Sequence, residues 1–421
     1  MVLWLALVAC GDPSDNKETE TGSDSTTGEV PTYYADVKPL LAQHCTRCHN
    51  SDGLGVGDFT DIEQVEAMAP AIQSAILDNR MPPPASDPGC QDYTGSDNLT
   101  LSDEEKATIS AWIDGDTPLG DPADEPEIPI VSDQLADPDI VLMMDQAYTP
   151  AYTDDNNPGN EYRCFILEKP DDLSSFYITG MAPIIDQAAI SHHAVLFTAS
   201  DEELAPYRED FEDGNGVDCI DDLNAIDGML SAWAPGMLPI EFPEGHGVYV
   251  SEGQNIILQM HYYAGPDNVG IADQSGYAFD IAESVDTTVL MAPVGSFNFQ
   301  IPANDDDYTH EESFYNSYLD LKIFGIFPHM HVLGQRFSAA VEHADGSETC
   351  LVDGDYDFDN QMTYQFTEPV AFGQGDQLRF SCNWNNSTSN PDLPVDEPQT
   401  TYYGERTDEE MCFFFSFVAV D

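Results

Sequence analysis

The chain has 421 residues, more than one small hydrophobic core accommodates, and this length predicts two or three domains. Its 78 acidic residues against 12 lysines and arginines give a formal net charge of -66, which repels nucleic acid and anionic membrane surfaces and excludes polyanion binding. The apolar fraction of 41% is sufficient for packed interiors. The acidity is typical of a solubilising surface in a salty medium, with recruitment of cationic partners as the alternative.

The N-terminus is a short apolar run that ends in Leu7-Val8-Ala9-Cys10. It resembles the lipobox of bacterial lipoproteins, in which the cysteine is lipidated and becomes the first residue of the mature chain. The run lacks a basic leading region, and a chance cysteine after an apolar start is the alternative. We predict a lipoprotein signal over residues 1–10, lipidation at Cys10, and export to the bacterial cell envelope, in the periplasm or on the outer surface, with the lipid as the only membrane contact.

A linker and a small helical domain are predicted next. Residues 11–30 are small, polar and acidic, which predicts a disordered linker. Three stretches then have apolar residues at helical spacing, at 34–45, 62–80 and 102–115. The last begins with a capping box formed by Ser102 and Glu105. Together they predict an all-α domain over residues 31–116, followed by a proline-rich acidic linker over residues 117–135.

Within this domain, Cys45, Cys48 and His49 form a Cys-x-x-Cys-His sequence, the attachment signature of c-type haem. Met81 in NRMPPP is the predicted sixth iron ligand, and Met68 is the alternative, although its helical apolar pattern favours a core position. A zinc or redox Cys-x-x-Cys would leave the adjacent histidine unexplained. The region resembles a class I-like cytochrome c domain, which implies one haem c.

Beyond residue 136, short β-type runs alternate with Gly, Asp, Asn and Pro. So many short strands predict an all-β region, and its length favours two sandwiches, at residues 136–290 and 291–421. The predicted fold class is therefore multidomain, with a small all-α domain followed by an all-β pair of sandwiches.

Five of the ten histidines lie in three short sequences of the β region, at His192 and His193, His261, and His329 and His331. In a strand, His329 and His331 project from one face and Met330 from the other. The adjacent His192 and His193 share an ion only at a bend or through different ring nitrogens. Imidazole suits zinc, copper, iron and nickel, and a thioether ligand would favour Cu(I). The pattern thus predicts metal sites. A methionine ligand would identify the metal as copper.

The ordered motifs His-His, Gln-x-His-Tyr, His-x-His-x-x-Gly and Met-Cys resemble the copper type II ascorbate-dependent monooxygenases, the family of dopamine β-monooxygenase and peptidylglycine α-hydroxylating monooxygenase. The resemblance covers about residues 140–421. It implies two jelly-roll-like sandwiches that carry one copper each and face a shared cleft. It assigns an electron-transfer copper to His192, His193 and His261, and an oxygen-binding copper to His329, His331 and Met411.

The cysteines of the β region are also assigned by this resemblance. It implies one disulfide between Cys382 and Cys412, which would brace Met411, and another between Cys164 and Cys219. Cys90 and Cys350 have no counterpart in the family. They either bridge the haem and copper modules or remain thiols.

These features predict an exported copper-dependent monooxygenase with two copper ions and one haem c. It would use O₂ to hydroxylate a C–H bond of a small molecule, with electrons from its own haem domain, whose tethering raises the effective concentration of the donor. An external electron donor, a redox protein or an ascorbate-like reductant, would reduce the chain. The alternative is a non-catalytic copper and haem protein that only transfers electrons.

The departures from the family bear on the substrate. Peptide-amidating members carry an arginine two residues before the His-x-His pair, and an asparagine and a tyrosine after the Met-Cys pair. The matching positions here are Phe327, Phe413 and Phe415. Phenyl rings offer apolar surface and leave a substrate carboxylate unpaired. We therefore predict a neutral, apolar or aromatic substrate, with packing into the sandwich core as the alternative role of these rings.

Overall fold

The computed structural model describes residues 30–420, except 52, 54, 128–131, 154–158, 171, 220–227, 236, 264–267, 359, 396, 405 and 407. The predicted signal, the lipidation site Cys10 and all but the last residue of the linker at 11–30 lie outside the described residues. In the described part, no helix is both long enough and apolar enough to cross a lipid bilayer.

The helices lie mainly at the start of the chain. They are α1 Lys38–His44, α2 Ile62–Leu77, α3 Ser96–Leu99, α4 Asp103–Asp114, α5 Asp201–Leu204 and α6 Arg208–Phe211, with a π-helical turn at Tyr33–Val37 and 3₁₀ turns at Pro122–Asp124 and Ala188–Ile190. The predicted capping box is present, because Ser102 accepts from the Glu105 amide and Glu105 accepts from the Ser102 amide. The first helices enclose a core of their own around Leu41, Val65 and Trp112. We call residues 32–83 and 95–119 the helical module.

Strands make up most of the remaining chain. They are β1 Ile140–Met143, β2 Asn160–Leu167, β3 Phe176–Ile184, β4 Ser191–Ser200, β5 Val217–Asp218, β6 Met229–Trp233, β7 Ile240–Glu241, β8 His246–Val250, β9 Gln254–Tyr263, β10 Gly276–Ala282, β11 Thr287–Gly295, β12 Gln300–Ile301, β13 Asp305–Tyr315, β14 Leu321–His329, β15 Gly334–Glu342, β16 Glu348–Asp355, β17 Tyr364–Phe372, β18 Gln377–Asn386, β19 Thr401–Tyr402 and β20 Phe413–Val420.

These strands form two sandwiches that share one sheet. Among the described residues, a nine-stranded sheet has the order β1-β10-β3-β8-β11-β20-β14-β17, with β7 beside β3. A five-stranded sheet, β5-β2-β9-β4-β6, covers its first half, and a four-stranded sheet, β13-β18-β15-β16, covers its second half. The halves join where β8 and β11 pair in parallel. The all-β prediction is confirmed for this part of the chain, but the sequence did not predict a continuous sheet.

One hydrophobic core runs between the sheets of both sandwiches. In the N-terminal sandwich, Leu196 and Leu258 of the five-stranded sheet share this core with Phe279 of the nine-stranded sheet. In the C-terminal sandwich, the ring centroids of Phe380 and Phe414 lie 5.4 Å apart across the two layers. In both sandwiches, the strands that carry the clustered histidines are therefore held in place by buried apolar packing.

Six cysteines form three disulfides. Cys164 pairs with Cys219 and Cys382 pairs with Cys412, the two pairs that the family resemblance implies. Cys90 pairs with Cys350, so of the two alternatives for these residues the structure has the bridge. This bridge ties a segment just after α2 to strand β16 of the C-terminal sandwich.

Candidate metal centres

The first histidine group combines two neighbouring strands of the five-stranded sheet. His192 and His193 lie on β4, and His261 lies opposite His193 on β9. The pairing register shifts between Ser191 and His193, which is the irregularity that two adjacent histidines need to reach one site. Nδ1 of His193 is 3.0 Å from Nδ1 of His192 and 3.3 Å from Nδ1 of His261. The sequence analysis allowed either a bend or the use of different ring nitrogens for His192 and His193. The structure has the bend, as a break in strand register, and both rings present Nδ1.

These three imidazoles fit a metal ion held by nitrogen. Three nitrogens that each lie about 2.0 Å from one ion in a plane are about 3.5 Å apart, close to the observed spacing. Nε2 of His261 lies 2.7 Å from Oδ1 of Asn160, which fixes the proton on Nε2 and leaves Nδ1 free to ligate. Burial, together with the neighbouring imidazoles, lowers the pKa of His193 and His261 well below the usual value, so both rings are neutral.

The second histidine group lies at the end of β14 in the C-terminal sandwich. The rings of His329 and His331 are 5.1 Å apart and nearly perpendicular. Nδ1 of His329 lies 2.6 Å from Oε1 of Gln361, and Nδ1 of His331 lies 3.1 Å from the Glu409 carbonyl oxygen. Both Nδ1 atoms face acceptors, so the Nε2 atoms of this pair remain for a metal. Burial lowers the pKa of His329 to about 4 and that of His331 to about 3, so both are neutral.

Two methionines are near this pair in sequence, and the fold separates them. Met330 is fully buried in the core shared by the sandwiches. Met411 instead belongs to a small apolar cluster with Phe327 and Phe415, whose rings lie 5.9 and 6.4 Å from the ring of His329. Met411 is therefore the methionine that shares the surroundings of His329. Two imidazole Nε2 atoms and one thioether form a donor set that suits Cu(I).

Glu410, which the sequence analysis did not single out, links the chain segments of this second group. Its carboxylate accepts hydrogen bonds from the amides of His331, Leu333 and Met411 and from Nε1 of Trp384. Complete burial raises the pKa of Glu410 to about 7, and these donors act in the opposite direction. One buried carboxylate thus fixes the segment of His331 against that of Met411. A glutamate before Met-Cys was visible in the sequence, but its partners lie far away along the chain.

The loop 356–362, between β16 and β17, contacts both histidine groups. The ring of Phe358 lies 5.5 Å from His192 and 6.3 Å from His331. Gln361 of the same loop orients His329, and its own amide is fixed because Nε2 donates to the Phe358 carbonyl oxygen. The two groups therefore face each other across a single phenyl ring. No motif in this stretch signalled such a role.

Phe327, Phe413 and Phe415 pack together with Met411, and Met229 and Ala232 of β6 complete the cluster from the N-terminal sandwich. All three phenylalanines are at least 95% buried. A groove of about 290 Å³ reaches Phe413 from outside and is lined by Phe297, Phe314 and Phe380 among others. The three phenylalanines thus pack into a buried apolar cluster beside His329, and of the three only Phe413 lines this groove.

The Cys-x-x-Cys-His sequence follows α1 in the helical module. Cys45 and Cys48 are free thiols, whereas the disulfides use the other described cysteines. Burial raises the pKa of both thiols, the opposite of the lowered pKa of reactive redox cysteines. Nη1 of Arg47 is buried without a hydrogen-bond partner, which leaves a cation for an anionic group such as a haem propionate.

His49 is oriented as an axial ligand would need to be. Its Nδ1 lies 2.9 Å from the Val56 carbonyl oxygen, so Nε2 remains for iron, and its ring stacks on Phe59 at 4.3 Å. Gly55 permits this approach, because a Cβ there would lie 2.5 Å from Nδ1 of His49. Met81 lies just beyond α2 and is 39% exposed. These residues fit a covalently attached haem.

Replacing Gln361 by alanine is expected to lower the copper affinity of the second group by about 10- to 100-fold, because His329 loses the acceptor that fixes its tautomer. The measurement is Cu(I) competition with a chelator in a chain whose first group is removed by His192→Ala and His193→Ala. Gln365→Ala is the matched control, since Gln365 bonds the Glu241 backbone instead. Equal affinities in the two variants would contradict the role of Gln361.

Family models match most of the β region. Residues 148–268 match the N-terminal domain of the copper type II ascorbate-dependent monooxygenases, and residues 288–418 match the C-terminal domain of the same family. The two matches together cover more than half of the chain. DBH-like monooxygenase protein 2 of Mus musculus is 24% identical over an alignment of 276 residues, and the match covers 61% of this chain and 42% of that relative. The chain therefore spans less than half of the length of this curated relative.

Solved structures offer only distant likenesses. The major capsid protein P2 of bacteriophage PM2 has a TM-score of 0.28 and 10% identity, covering 67% of this chain and 97% of that one. The VP2 subviral particle of infectious bursal disease virus has a TM-score of 0.17 and 12% identity, with coverages of 62% and 55%. Likenesses at these scores support no conclusion about this protein.

Proposed function

Because the chain belongs to the copper type II ascorbate-dependent monooxygenases, and so is a copper-dependent oxidoreductase, we propose that it hydroxylates a C–H bond of a small, neutral, apolar or aromatic molecule with O₂. We propose further that a haem c in its own helical module supplies the electrons. Copper bound at the two histidine groups would supply dioxygen reduction and one-electron storage.

One observation carries this proposal: two groups of oriented imidazoles face each other across Phe358. In the first group three Nδ1 atoms converge, and in the second both Nδ1 atoms are held by acceptors, which assigns the Nε2 atoms to the metal. Burial lowers the pKa of two rings of the first group, His193 and His261, and of both rings of the second group, so these four are ready to ligate without competition from protons. The phenylalanines around Met411 exclude water from the place where a substrate carbon would be attacked.

The haem assignment is supported by the donor set of the helical module. Cys45 and Cys48 are unpaired, His49 presents Nε2, and Arg47 has a buried guanidinium nitrogen without a partner. Met81 remains the proposed sixth ligand. Met68 instead packs against the core of the helical module.

Export and lipid attachment at Cys10 complete the proposal. Three disulfides are typical of proteins that fold in an oxidising compartment, which supports export to the cell envelope. A redox protein or an ascorbate-like reductant of that compartment would then be the external electron donor.

A neutral substrate is expected to be preferred over an anionic one. The comparison uses an N-acyl-glycine, its methyl ester and an arylalkane of similar size. Phe327 offers no charge to a carboxylate, and an unpaired charge that costs about 1.4 kcal/mol or more lowers kcat/KM for the acid by at least about tenfold. The ester isolates the effect of charge, because it differs from the acid by one methyl group. A preference for the free acid would contradict the proposed substrate class.

Oxygen uptake measured together with product formation tests the proposed reaction. The copper- and haem-loaded chain is expected to consume O₂ in proportion to the hydroxylated product that it forms. A chain that only transfers electrons would form no hydroxylated product, and that outcome would favour the alternative function.

A further inference from the structure

Residues 84–94 leave the helical module and pack on the C-terminal sandwich, although they lie within the range 31–116 predicted as one domain. The Asp87 amide donates to the Asp353 carbonyl oxygen at 2.8 Å, and the Thr94 amide donates to the Gln365 carbonyl oxygen at 2.8 Å. These bonds bind the segment to strands β16 and β17. The same two strands flank the loop 356–362.

This packing belongs to the protein interior. Ser86 is fully buried, and its amide donates to Oη of Tyr364 at 3.1 Å. The ring of Tyr93 is also buried and lies 5.0 Å from the ring of Tyr364, edge to face. The disulfide between Cys90 and Cys350 adds a covalent link. The segment is thus docked on the C-terminal sandwich, and it continues into the helical module at both of its ends.

The residues at the start of this segment connect the proposed haem ligand to the second histidine group. Met81 lies three residues before Pro84, within about 11 Å along even a fully extended chain. The Pro84 carbonyl oxygen accepts from Nδ2 of Asn360 at 3.4 Å. Asn360 is bonded to Gln361, whose Oε1 lies 2.6 Å from Nδ1 of His329. Covalent bonds and two hydrogen bonds therefore join Met81 to His329.

The loop 356–362 reaches the second histidine group through a hydrogen bond to a ligand ring, whereas it reaches the first group only through a ring contact. That contact is made by Phe358 of the same loop, whose ring lies 5.5 Å from the ring of His192 and 6.3 Å from that of His331. From the geometry we infer that electrons enter the copper pair at the His329, His331 and Met411 site, through residues 81–84 and then Asn360 and Gln361. The first group then exchanges electrons with the second across Phe358.

This inference rests on the proposed function, because it involves the same haem and the same coppers. The step itself is the transfer of a single electron. The ferrous haem iron loses one electron and becomes ferric, and one cupric ion at the second group gains that electron and becomes cuprous. No proton or leaving group is needed. A reductant of the compartment restores the ferrous haem.

Flash reduction of the fully oxidised chain under anaerobic conditions tests the entry point. A photogenerated flavin reductant reduces the haem, and the decay of the ferrous haem absorption reports transfer to copper. We expect this decay in the unmodified chain and in the His192→Ala His193→Ala variant, and its loss in the His329→Ala His331→Ala variant. The opposite pattern would overturn the inference while the proposed function stands. A stable ferrous haem in all three chains would contradict the proposed haem supply, and the inference with it.

The path itself is tested by Asn360→Ala, which removes the hydrogen bond to Pro84. We expect the ferrous haem to decay several-fold more slowly in this variant. Asn383→Ala is the matched control, because Asn383 bonds Asp307 and Thr309 at the far edge of the same sandwich. An equal decay rate in both variants would overturn the assigned path.

A second measurement, which reports whether residues 84–94 are docked on the sandwich, needs neither metal nor haem. In the full chain without cofactors, the amides of Asp87 and Thr94 are expected to be protected from hydrogen exchange as strongly as amides within β16 and β17. Rapid exchange at these two amides would show that the segment is not docked in solution, and would overturn the inference.

Discussion

Replacing Met411 by isoleucine is expected to abolish hydroxylation while the haem absorption spectrum stays unchanged. The substitution removes the thioether, the only soft donor proposed for the second copper, and retains most of the side-chain volume in the cluster of Phe327, Phe413 and Phe415. Mutation of a residue that hydrogen-bonds to a metal ligand already lowers metal affinity or activity by about 10- to 100-fold. Loss of the ligand itself should therefore lower turnover by more than about 100-fold. Product formation at saturating reductant is the measurement.

The matched control for this experiment is Met330→Ile. Met330 is the other methionine beside the His-x-His pair, but it lies just past the end of β14 and is buried in the shared core. It should retain most of the activity, since a volume-conserving exchange in a core costs less than about 1.5 kcal/mol. Full turnover in Met411→Ile, or an equal loss in both variants, would refute the ligand assignment.

Replacing both Cys45 and Cys48 by serine is expected to yield a chain without covalent haem. Two thioether bonds require two thiols, and both are free and lie three residues apart just after α1. Copper content should be unaffected, because the helical module has a core of its own. Turnover with a protein donor should fall to background, and a small reductant that reaches copper directly should restore it.

Cys90→Ser combined with Cys350→Ser provides the comparison for this haem experiment. That variant also loses two cysteines, but it retains the attachment sequence and should keep one haem per chain. Haem content is measured by the pyridine haemochrome spectrum. Covalent haem in the Cys45→Ser Cys48→Ser chain, or unchanged turnover with the protein donor, would refute the proposed electron supply.

Local sequence signals predicted the elements that carry the chemistry. The capping box at Ser102 placed the start of α4, because its hydrogen bonds involve residues three apart. Strand alternation predicted that Met330 projects away from His329 and His331, and Met330 is buried in the core, although β14 ends at His329 and only that histidine lies in the strand. The sequence left the geometry of His192 and His193 open, because a shift in strand register depends on the partner strand β9 rather than on β4 alone.

Tertiary contacts account for what the sequence did not predict. Gln361, Phe358 and Glu410 act through partners that are distant along the chain, so no spacing rule identifies them. The bridge between Cys90 and Cys350 spans 260 residues, and cysteine counting alone cannot assign such a pair. The parallel pairing of β8 with β11 is likewise a contact between the two sandwiches that periodicity does not encode.

A single turnover with oxygen-18 gas tests most directly whether one chain combines the haem and the copper pair into a monooxygenase. The chain is fully reduced, freed of excess reductant, and mixed with labelled O₂ and a neutral arylalkane. We predict an alcohol that carries one labelled oxygen atom, formed together with oxidation of the haem. Oxidation of the haem without labelled alcohol would contradict this account.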